Sequence, residues 1–152
     1  MVPGCDHASV LLRREDAYAT VAANDAIART IDKLQHAIGD GPCLDVIEEE
    51  AAQIDADLTV RSQWPALAAR VVTETPVRGT MAFRLLVGRR KVGALNLFSD
   101  TPNVFSKRSA GRAIALAAFA SVATNAVAQG EDAAALRRGL VSAGRSARPS
   151  AC

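Results

Sequence analysis

Cys43 is the side chain best placed for covalent chemistry, because it follows Gly41 and Pro42 at a predicted helix N-terminus. The positive end of a helix dipole lowers the pKa of a thiol and makes its thiolate reactive. Asp45 in the same turn opposes this effect with a negative charge close to the sulfur. We therefore predict a packed, inert thiol at Cys43, with redox chemistry and ligand contact as the alternatives.

The other candidate ligands and nucleophiles lack partners at a useful spacing. The three cysteines, Cys5, Cys43 and Cys152, match neither a zinc site nor a redox pair, so we expect reduced thiols. His7 begins a predicted strand and His36 lies opposite the apolar stripe of a predicted helix. Neither has an acidic or cysteine partner at ligand spacing, so we expect both on the surface. We predict no catalytic residue, no metal site and no cofactor.

Two hairpins are predicted from apolar runs that flank short polar turns. In residues 82–99 the two runs are separated by Gly88, Arg89 and Arg90. In residues 7–22 they flank a charged turn at 14–16. A shorter run at residues 53–57 predicts one further strand. Together with the helices between them, these strands predict the mixed α/β class.

Four helices are predicted from capping residues and apolar spacing. The first begins at an Asn or Asp cap, carries Asp32 on the side away from its apolar stripe, and ends at Gly39. Pro42 begins the second helix, and Ser106 caps an alanine-rich fourth helix. The predicted bounds are 24–38, 42–50, 64–75 and 106–130.

The composition is that of a single globular domain. Its 152 residues suffice for one core, and 49% hydrophobic with 22% charged residues is typical of a protein that folds in water. A net charge of +2 is too small to indicate nucleic acid or membrane as a partner. The N-terminus lacks a secretory signal, and the richest apolar stretch, residues 113–128, is too short to span a bilayer. We therefore expect a cytoplasmic protein.

Residues 34–45, Leu-Gln-His-Ala-Ile-Gly-Asp-Gly-Pro-Cys-Leu-Asp, resemble the helix-loop-helix of GAF domains in actinobacterial GAF-ANTAR antitermination regulators. Residues 2–9, 21–25 and 93–99 are similar to other parts of the same group, so the likeness covers about residues 2–128. The resemblance implies a GAF-like antiparallel sheet flanked by helices in one sensor domain, residues 1–129. The sequence departs from the group in having no helix before His7, and in having Arg84 where similar sequences have proline.

Residues 130–152 are predicted to be a basic, linker-like tail. Residues 136–142 resemble the linker that leads into the RNA-binding ANTAR domain, but the sequence then turns to serine, arginine and proline. We predict that this tail is partly disordered. Its four arginines have no aromatic residue beside them for stacking on bases, so we expect no specific nucleic-acid binding by this chain.

Ligand pockets in GAF domains lie between the sheet and the helix-loop segment, so the resemblance implies ten candidate pocket residues. They are Leu34, Ile38, Cys43, Val46, Ile47, Trp64, Phe83, Arg84, Leu85 and Asn96. The alternative is that the apolar members are ordinary core residues. Asn96 is the strongest candidate, because an amide within an apolar strand needs a hydrogen-bond partner.

These observations and the resemblance predict an intracellular regulatory domain and not an enzyme. The domain is expected to sense a small molecule, to relay a signal through a homodimer, or to do both. The expected process is transcription or signalling control. The lack of a helix before the first strand leaves one side of the final helix uncovered, which predicts a dimer interface there. Its predicted residues are Ile114, Ala118, Ser121 and Val122. The expected partners are an unknown small molecule and a separate output protein, and no membrane. The alternatives are a ligand-free dimerisation module and a thiol redox enzyme that uses Cys43.

Overall fold

The computed structural model describes residues 4–15 and 17–117, in which five strands and four helices follow one another. The strands are β1 (His7–Arg14), β2 (Ala17–Ala23), β3 (Ala52–Asp55), β4 (Gly79–Val87) and β5 (Arg90–Ser99). The helices are α1 (Ala26–Ile38), α2 (Pro42–Glu48), α3 (Pro65–Glu74) and α4, which is helical from residue 107 to residue 117, the last one described.

The strands form one antiparallel sheet in the order β2-β1-β5-β4-β3. Both predicted hairpins are present, since β1 pairs with β2 and β4 pairs with β5. Gly88 lies in the β4–β5 turn with a φ of 63°, a left-handed conformation that glycine adopts without strain. The strand predicted near residues 53–57 is β3, at the sheet edge next to β4. The predicted mixed α/β class is confirmed.

Local chemistry sets both ends of α1 as predicted. The Asp25 side chain accepts a hydrogen bond of 3.0 Å from Ala28 N, and Gly39 ends the helix with a φ of 79° and an N–H bond to Gln35 O. Asp32, however, was predicted to face away from the core and is only 1% exposed. That prediction was wrong because the strands beneath α1 present polar side chains there, and Asp32 bonds to them.

The two faces of the sheet are covered by different helices. Because side chains alternate along a strand, β4 and β5 each contribute to both faces. One face packs against α4 and Phe105, and we call it the α4 face; its members include Met81, Phe83, Leu85, Leu95 and Leu97. The other lies under α1, α2 and α3, and we call it the three-helix face; its members include Ser9, Thr80, Ala82, Ala94 and Asn96.

The start of α4 matches the prediction, because Ser106 Oγ accepts hydrogen bonds from the N–H groups of Arg108 and Ser109. The predicted helix end near Gly130 and the tail at 130–152 lie outside the described residues. The same holds for three of the predicted interface residues, Ala118, Ser121 and Val122. In residues 4–15 and 17–117, no helix is long and apolar enough to cross a bilayer.

Candidate functional site

A cavity lies between the three-helix face and the helices α1 and α3. Its volume is about 10 Å³ for the centre of a water-sized sphere, which is room for about one water molecule. The lining side chains are apolar apart from one amide and one hydroxyl; they are Ile31, Gln35, Pro42, Leu58, Leu67, Val71, Val77, Thr80 and Phe98.

The amide of Gln35 has one end anchored and the other end without a partner. Gln35 is 1% exposed, and its Oε1 accepts a hydrogen bond of 3.0 Å from Cys43 N in the first turn of α2. An N–H group can bond only to the oxygen of the amide, which fixes Nε2 at the opposite end. Nε2 is buried and has no hydrogen-bond partner among the described residues.

The loop between α1 and α2 leaves room for this amide. Gly41 has a φ of 150°, and a Cβ at this position would fall well inside contact distance of Gln35 Oε1. Any other residue at position 41 would therefore displace the Gln35 side chain or the loop. Gly41 is the N-cap residue of α2 and has no side chain that could cap the helix. The side chain of Gln35 takes this role by accepting the hydrogen bond from Cys43 N.

Thr80 on β4 is the second polar group of the cavity wall. It is 4% exposed, and its Oγ1 also has no hydrogen-bond partner in the described part of the chain. A buried polar group left unsatisfied costs about 1–3 kcal/mol. Two such groups beside a space of this size indicate a buried water molecule, which would bond to both of them.

A buried carboxylate lies beside this cavity on the same face of the sheet. Asp32 Oδ1 accepts from Ser9 Oγ at 3.1 Å and from Asn96 Nδ2 at 3.3 Å, and Oδ2 accepts from Thr20 Oγ1 at 2.6 Å. Burial raises the pKa of Asp32, and the hydrogen bonds from Thr20 and Ser9 offset only part of that rise. Asn96 Nδ2 donates to Ser9 Oγ at 3.2 Å as well, so the donor end of this buried amide has partners. Its acceptor end, Oδ1, has no partner within the described residues.

Cys43 has the environment of a structural thiol. It is 1% exposed, and among the described residues it is the free cysteine. Burial raises its pKa well above the usual value, and the charges of Asp32 and Asp45 raise it further. This matches the packed thiol predicted from the sequence. The expectation of three reduced thiols is corrected at Cys5, which is disulfide-bonded.

None of the ten predicted pocket residues lines the cavity. Two of them, Phe83 and Leu85, lie on the α4 face, on the other side of the sheet. Under the helices, six pack in the cores around the cavity: Leu34, Ile38, Cys43, Val46, Ile47 and Trp64. Arg84 Nε donates to Val46 O at 2.6 Å, and Asn96 bonds to Asp32. The assignment of these ten residues to a ligand site therefore stays a prediction.

The sequence contained a signal for both missed residues. Gln35 follows Ile31 by four positions and precedes Ile38 by three, which places it on the buried stripe of α1. Thr80 shares a strand face with Ala82, opposite the large apolar side chains of β4. A polar side chain at a core position of this kind marks a candidate site.

Trp64 connects two of the helices that cover the three-helix face. It is 3% exposed, and its indole Nε1 donates to Asp45 Oδ2 at 2.8 Å. Its backbone N donates to Ser62 Oγ, which in turn donates to Asp55 Oδ2. The start of α3 is thereby tied both to α2 and to the end of β3.

The two histidines differ in environment, and the prediction for His7 was wrong. His7 is 6% exposed, and its two ring nitrogens bond to Asp25 Oδ2 at 2.5 Å and Asp100 Oδ1 at 2.8 Å. Burial lowers the pKa of His7, but the two carboxylates outweigh burial and the pKa is raised. These partners lie 18 and 93 positions away in the sequence, so a search for side chains at short ligand spacing does not find them. His36 is exposed, as predicted.

Comparison with known proteins identifies the type of fold. No protein-family model and no curated protein sequence matches the chain. One similar solved structure is a GAF3 domain from Synechocystis sp. PCC6803 in its photoproduct state, with 17% identity and a TM-score of 0.57. That likeness covers 88% of this chain and 89% of the other. The chain has a GAF-like fold.

Two further structures share this GAF-like fold. A domain of a putative two-component sensor histidine kinase from Sinorhizobium meliloti 1021 is 24% identical, with a TM-score of 0.65 over 90% of this chain and 88% of that one. A type II free methionine-R-sulfoxide reductase from Thermoplasma acidophilum is 15% identical, with a TM-score of 0.60 over 78% of each chain. Since the fold occurs in a sensor kinase and in an enzyme, the function must be argued from the site.

Proposed function

We propose that this GAF-like domain is a regulatory sensor, which binds a small molecule between the three-helix face and the helices α1 and α3. Binding requires these helices to move away from the sheet, because the cavity between them has room for about one water molecule. The observation that carries the proposal is the pair of buried, unsatisfied polar groups in the cavity, Gln35 Nε2 and Thr80 Oγ1. An apolar side chain at position 80 would remove a penalty of about 1–3 kcal/mol, whereas Gln35 also caps α2 through its Oε1. A ligand that displaces the water from the cavity gains hydrogen bonds to Thr80 Oγ1 and Gln35 Nε2.

The proposal treats the domain as a binding module and not as an enzyme. Thiol redox chemistry at Cys43 would need an accessible thiolate, whereas Cys43 is buried and its pKa is raised. The reductase activity of the Thermoplasma acidophilum structural neighbour therefore gives no support for a reductase role of Cys43. Neither nucleic acid nor a membrane is part of the proposed function.

A role in signalling or transcription control completes the proposal. Its support is the sensor histidine kinase from which one structural neighbour comes, and the resemblance of residues 34–45 to the sensor half of GAF-ANTAR regulators. In this proposal a separate output protein reads the liganded state of the domain.

We also propose that the signal passes through a homodimer formed along α4. Ile114 supports this assignment, because 57% of this large apolar side chain is exposed on the described part of the helix. Light scattering at micromolar concentration is expected to give the mass of a dimer, and Ile114→Glu to give that of a monomer. A monomer mass for the unaltered chain would contradict this part of the proposal.

Ligand binding is tested by a thermal-shift screen with metabolites of different charge and size. A compound at about 100 times its dissociation constant stabilises the folded state by ~2.7 kcal/mol, which is ~5–10 °C for a domain of this size. Val71→Leu adds a methylene group to the cavity wall and is expected to abolish the shift. Val72→Leu is the matched control, because this neighbour on α3 does not line the cavity.

The outcomes of the screen separate the alternatives. A shift that is lost in Val71→Leu and kept in Val72→Leu supports sensing at this cavity. A shift that both variants keep contradicts the placement of the site. A dimer that responds to no compound supports the ligand-free dimerisation module instead.

A further inference from the structure

We infer that His7 is a proton-dependent latch between the start of α1 and the loop at residues 100–106, which joins β5 to α4 and which we call the β5–α4 loop. The latch holds both segments while the ring carries a proton on each nitrogen, and it loosens the loop when one proton leaves. The inference goes beyond the proposed function, because the latch responds to pH and needs no ligand.

The ring of His7 lies between two carboxylates from distant parts of the chain. Nδ1 bonds to Asp25 Oδ2 at 2.5 Å, and Nε2 bonds to Asp100 Oδ1 at 2.8 Å. Asp25 is the N-cap residue of α1, and Asp100 is the first residue of the β5–α4 loop. The imidazole ring therefore joins these two segments.

Both bonds require the charged form of the ring. An ionised carboxylate can only accept a hydrogen bond, so each ring nitrogen must donate one. The neutral imidazole has a single N–H group, and its other nitrogen would turn a lone pair toward a carboxylate oxygen. One of the two bonds is thus lost when a proton leaves. Water can take up this proton, because 36% of the Asp25 side chain and 40% of the Asp100 side chain are exposed.

The bond to Asp100 is the one that we expect to break. The contact with Asp25 is shorter, and the second oxygen of Asp25 is held by Ala28 N, so this carboxylate is fixed against the ring. At Asp100 it is the backbone N that is held, by a bond of 2.8 Å to Asp6 Oδ2. The side chain of Asp100 can therefore turn toward water when the ring is neutral.

The carboxylates near the ring favour its protonated form. The segments that meet here contribute four of them: Asp6, Asp25, Asp32 and Asp100. Asp32 lies farther along α1 and accepts from Ser9, two residues after His7. Among the cations of these segments, Arg29 on α1 is exposed, and Arg78 before β4 bonds through its guanidinium to backbone carbonyl groups.

The direction of the pH response follows from the pKa of His7. Burial lowers this pKa, but the hydrogen bonds and charges of Asp25 and Asp100 outweigh burial and raise it above 6.5. The latch is therefore closed below pH 6.5 and opens as the pH rises through the folded-state pKa. A rise in pH loosens the loop that leads into α4.

The test follows the ring and the loop together in the unliganded full chain. NMR with isotope-labelled histidine reports the protonation of each ring nitrogen between about pH 6 and pH 9. The chain has two histidines, and the exposed His36 supplies the reference signal. We expect His7 to carry both protons at the lower pH and to lose the proton on Nε2 as the pH rises.

Amide hydrogen exchange reports the loosening of the loop. Asn103 N donates to Ala56 O, and its exchange should become faster by a few-fold, beyond the intrinsic effect of pH, as His7 loses its proton. A gain of about tenfold is the upper limit, since it corresponds to the ~1.4 kcal/mol of one hydrogen bond. Gly39 N, bonded to Gln35 O at the other end of α1, should show the intrinsic effect alone.

Asp100→Asn separates the latch from a general effect of pH. An asparagine side chain can accept from the protonated ring or donate to the neutral one, so the exchange of the loop should no longer depend on His7. The pKa of His7 should fall, because a negative charge beside the ring is lost. Asp40→Asn, an exposed change just after α1, is the matched control and should keep both responses.

Each outcome decides the inference. A His7 ring whose protonation stays the same throughout the range, or a titrating ring with no change in the exchange of the loop, would overturn the latch. A neutral ring with its proton on Nε2 would show that Asp25 is released and not the loop. An unchanged pH response in Asp100→Asn would remove Asp100 from the latch. Because no ligand is present, the latch and the proposed sensing function can fail independently of each other.

Discussion

The two faces of the sheet are built from the same strands but differ in side-chain size and polarity. On β4, Met81, Phe83 and Leu85 fill the α4 face, whereas Thr80 and Ala82 lie on the three-helix face. Burial of a large apolar side chain stabilises a fold by about 1.5–3 kcal/mol. Small and polar side chains give less, and here they leave a cavity and unsatisfied groups. The large apolar side chains of β4 thus lie on the α4 face, and its unsatisfied polar group lies on the three-helix face, where the covering helices supply most of the apolar core.

The largest effect is expected from Phe83→Ala on the α4 face. Phe83 is 2% exposed and packs in the cluster that α4 covers. Its removal leaves a cavity in a filled core and is expected to lower the free energy of unfolding by about 3–5 kcal/mol. Urea denaturation measures this change. A loss under ~1 kcal/mol would contradict the tight packing of Phe83 beneath α4.

A smaller loss is expected from Asp32→Ala on the three-helix face. The change removes the acceptor of three hydrogen bonds. The buried hydroxyl of Ser9 then loses its acceptor, and Asn96 Nδ2 keeps only its bond to Ser9 Oγ. We expect a loss of about 1–3 kcal/mol, again from urea denaturation. Lys33→Ala, an exposed change on the same helix, should lie within about 0.5 kcal/mol of the unaltered chain. Equal effects of the two variants would contradict the role assigned to Asp32.

The pH dependence of stability tests the ion pairs of His7, which lies at the end of the three-helix face. Because its folded-state pKa is raised above 6.5, its contribution is fully present below pH 6.5 and is lost as the pH rises through the folded-state pKa. Asp25 has a pKa lowered from 3.8, so its contribution is lost as the pH falls below that value.

The measurement compares the unaltered chain with His7→Gln between about pH 6 and pH 8.5. The unaltered chain should lose more stability over this range, while the titration of Asp32 is common to both proteins and cancels in the difference. Parallel curves would show that the charge of His7 contributes nothing to folding.

The smallest effect on stability is expected from Thr80→Val. Since Thr80 Oγ1 bonds to no described group and the shape of the side chain is kept, the free energy of unfolding should stay the same or rise by up to ~1 kcal/mol. Thermal denaturation without ligand measures the change. A clear loss of stability would indicate that the hydroxyl has a structural partner, which would weaken the case for a ligand.

Local signals in the sequence account for most of the secondary structure. The capping carboxylate of Asp25, the left-handed Gly39, Pro42 at the start of α2 and Gly88 in the hairpin turn act within a few residues of their own position. Such effects are short-range, and they set the bounds of the elements to within a few residues. The alternation of the strands likewise predicted a sheet packed against helices.

The site was decided by tertiary structure. His7 was expected on the surface and is buried because Asp25 and Asp100 reach it from other parts of the chain. Asp32 is buried because β1, β2 and β5 bring three donors beneath α1. Spacing along one element cannot reveal which helix covers which strand, and this pairing determines whether a polar side chain meets water, a partner or an empty cavity. The sequence by itself determined the helices, the hairpins and the apolar stripes, and the packing of α1 and α3 over the small side chains of the sheet created the candidate site.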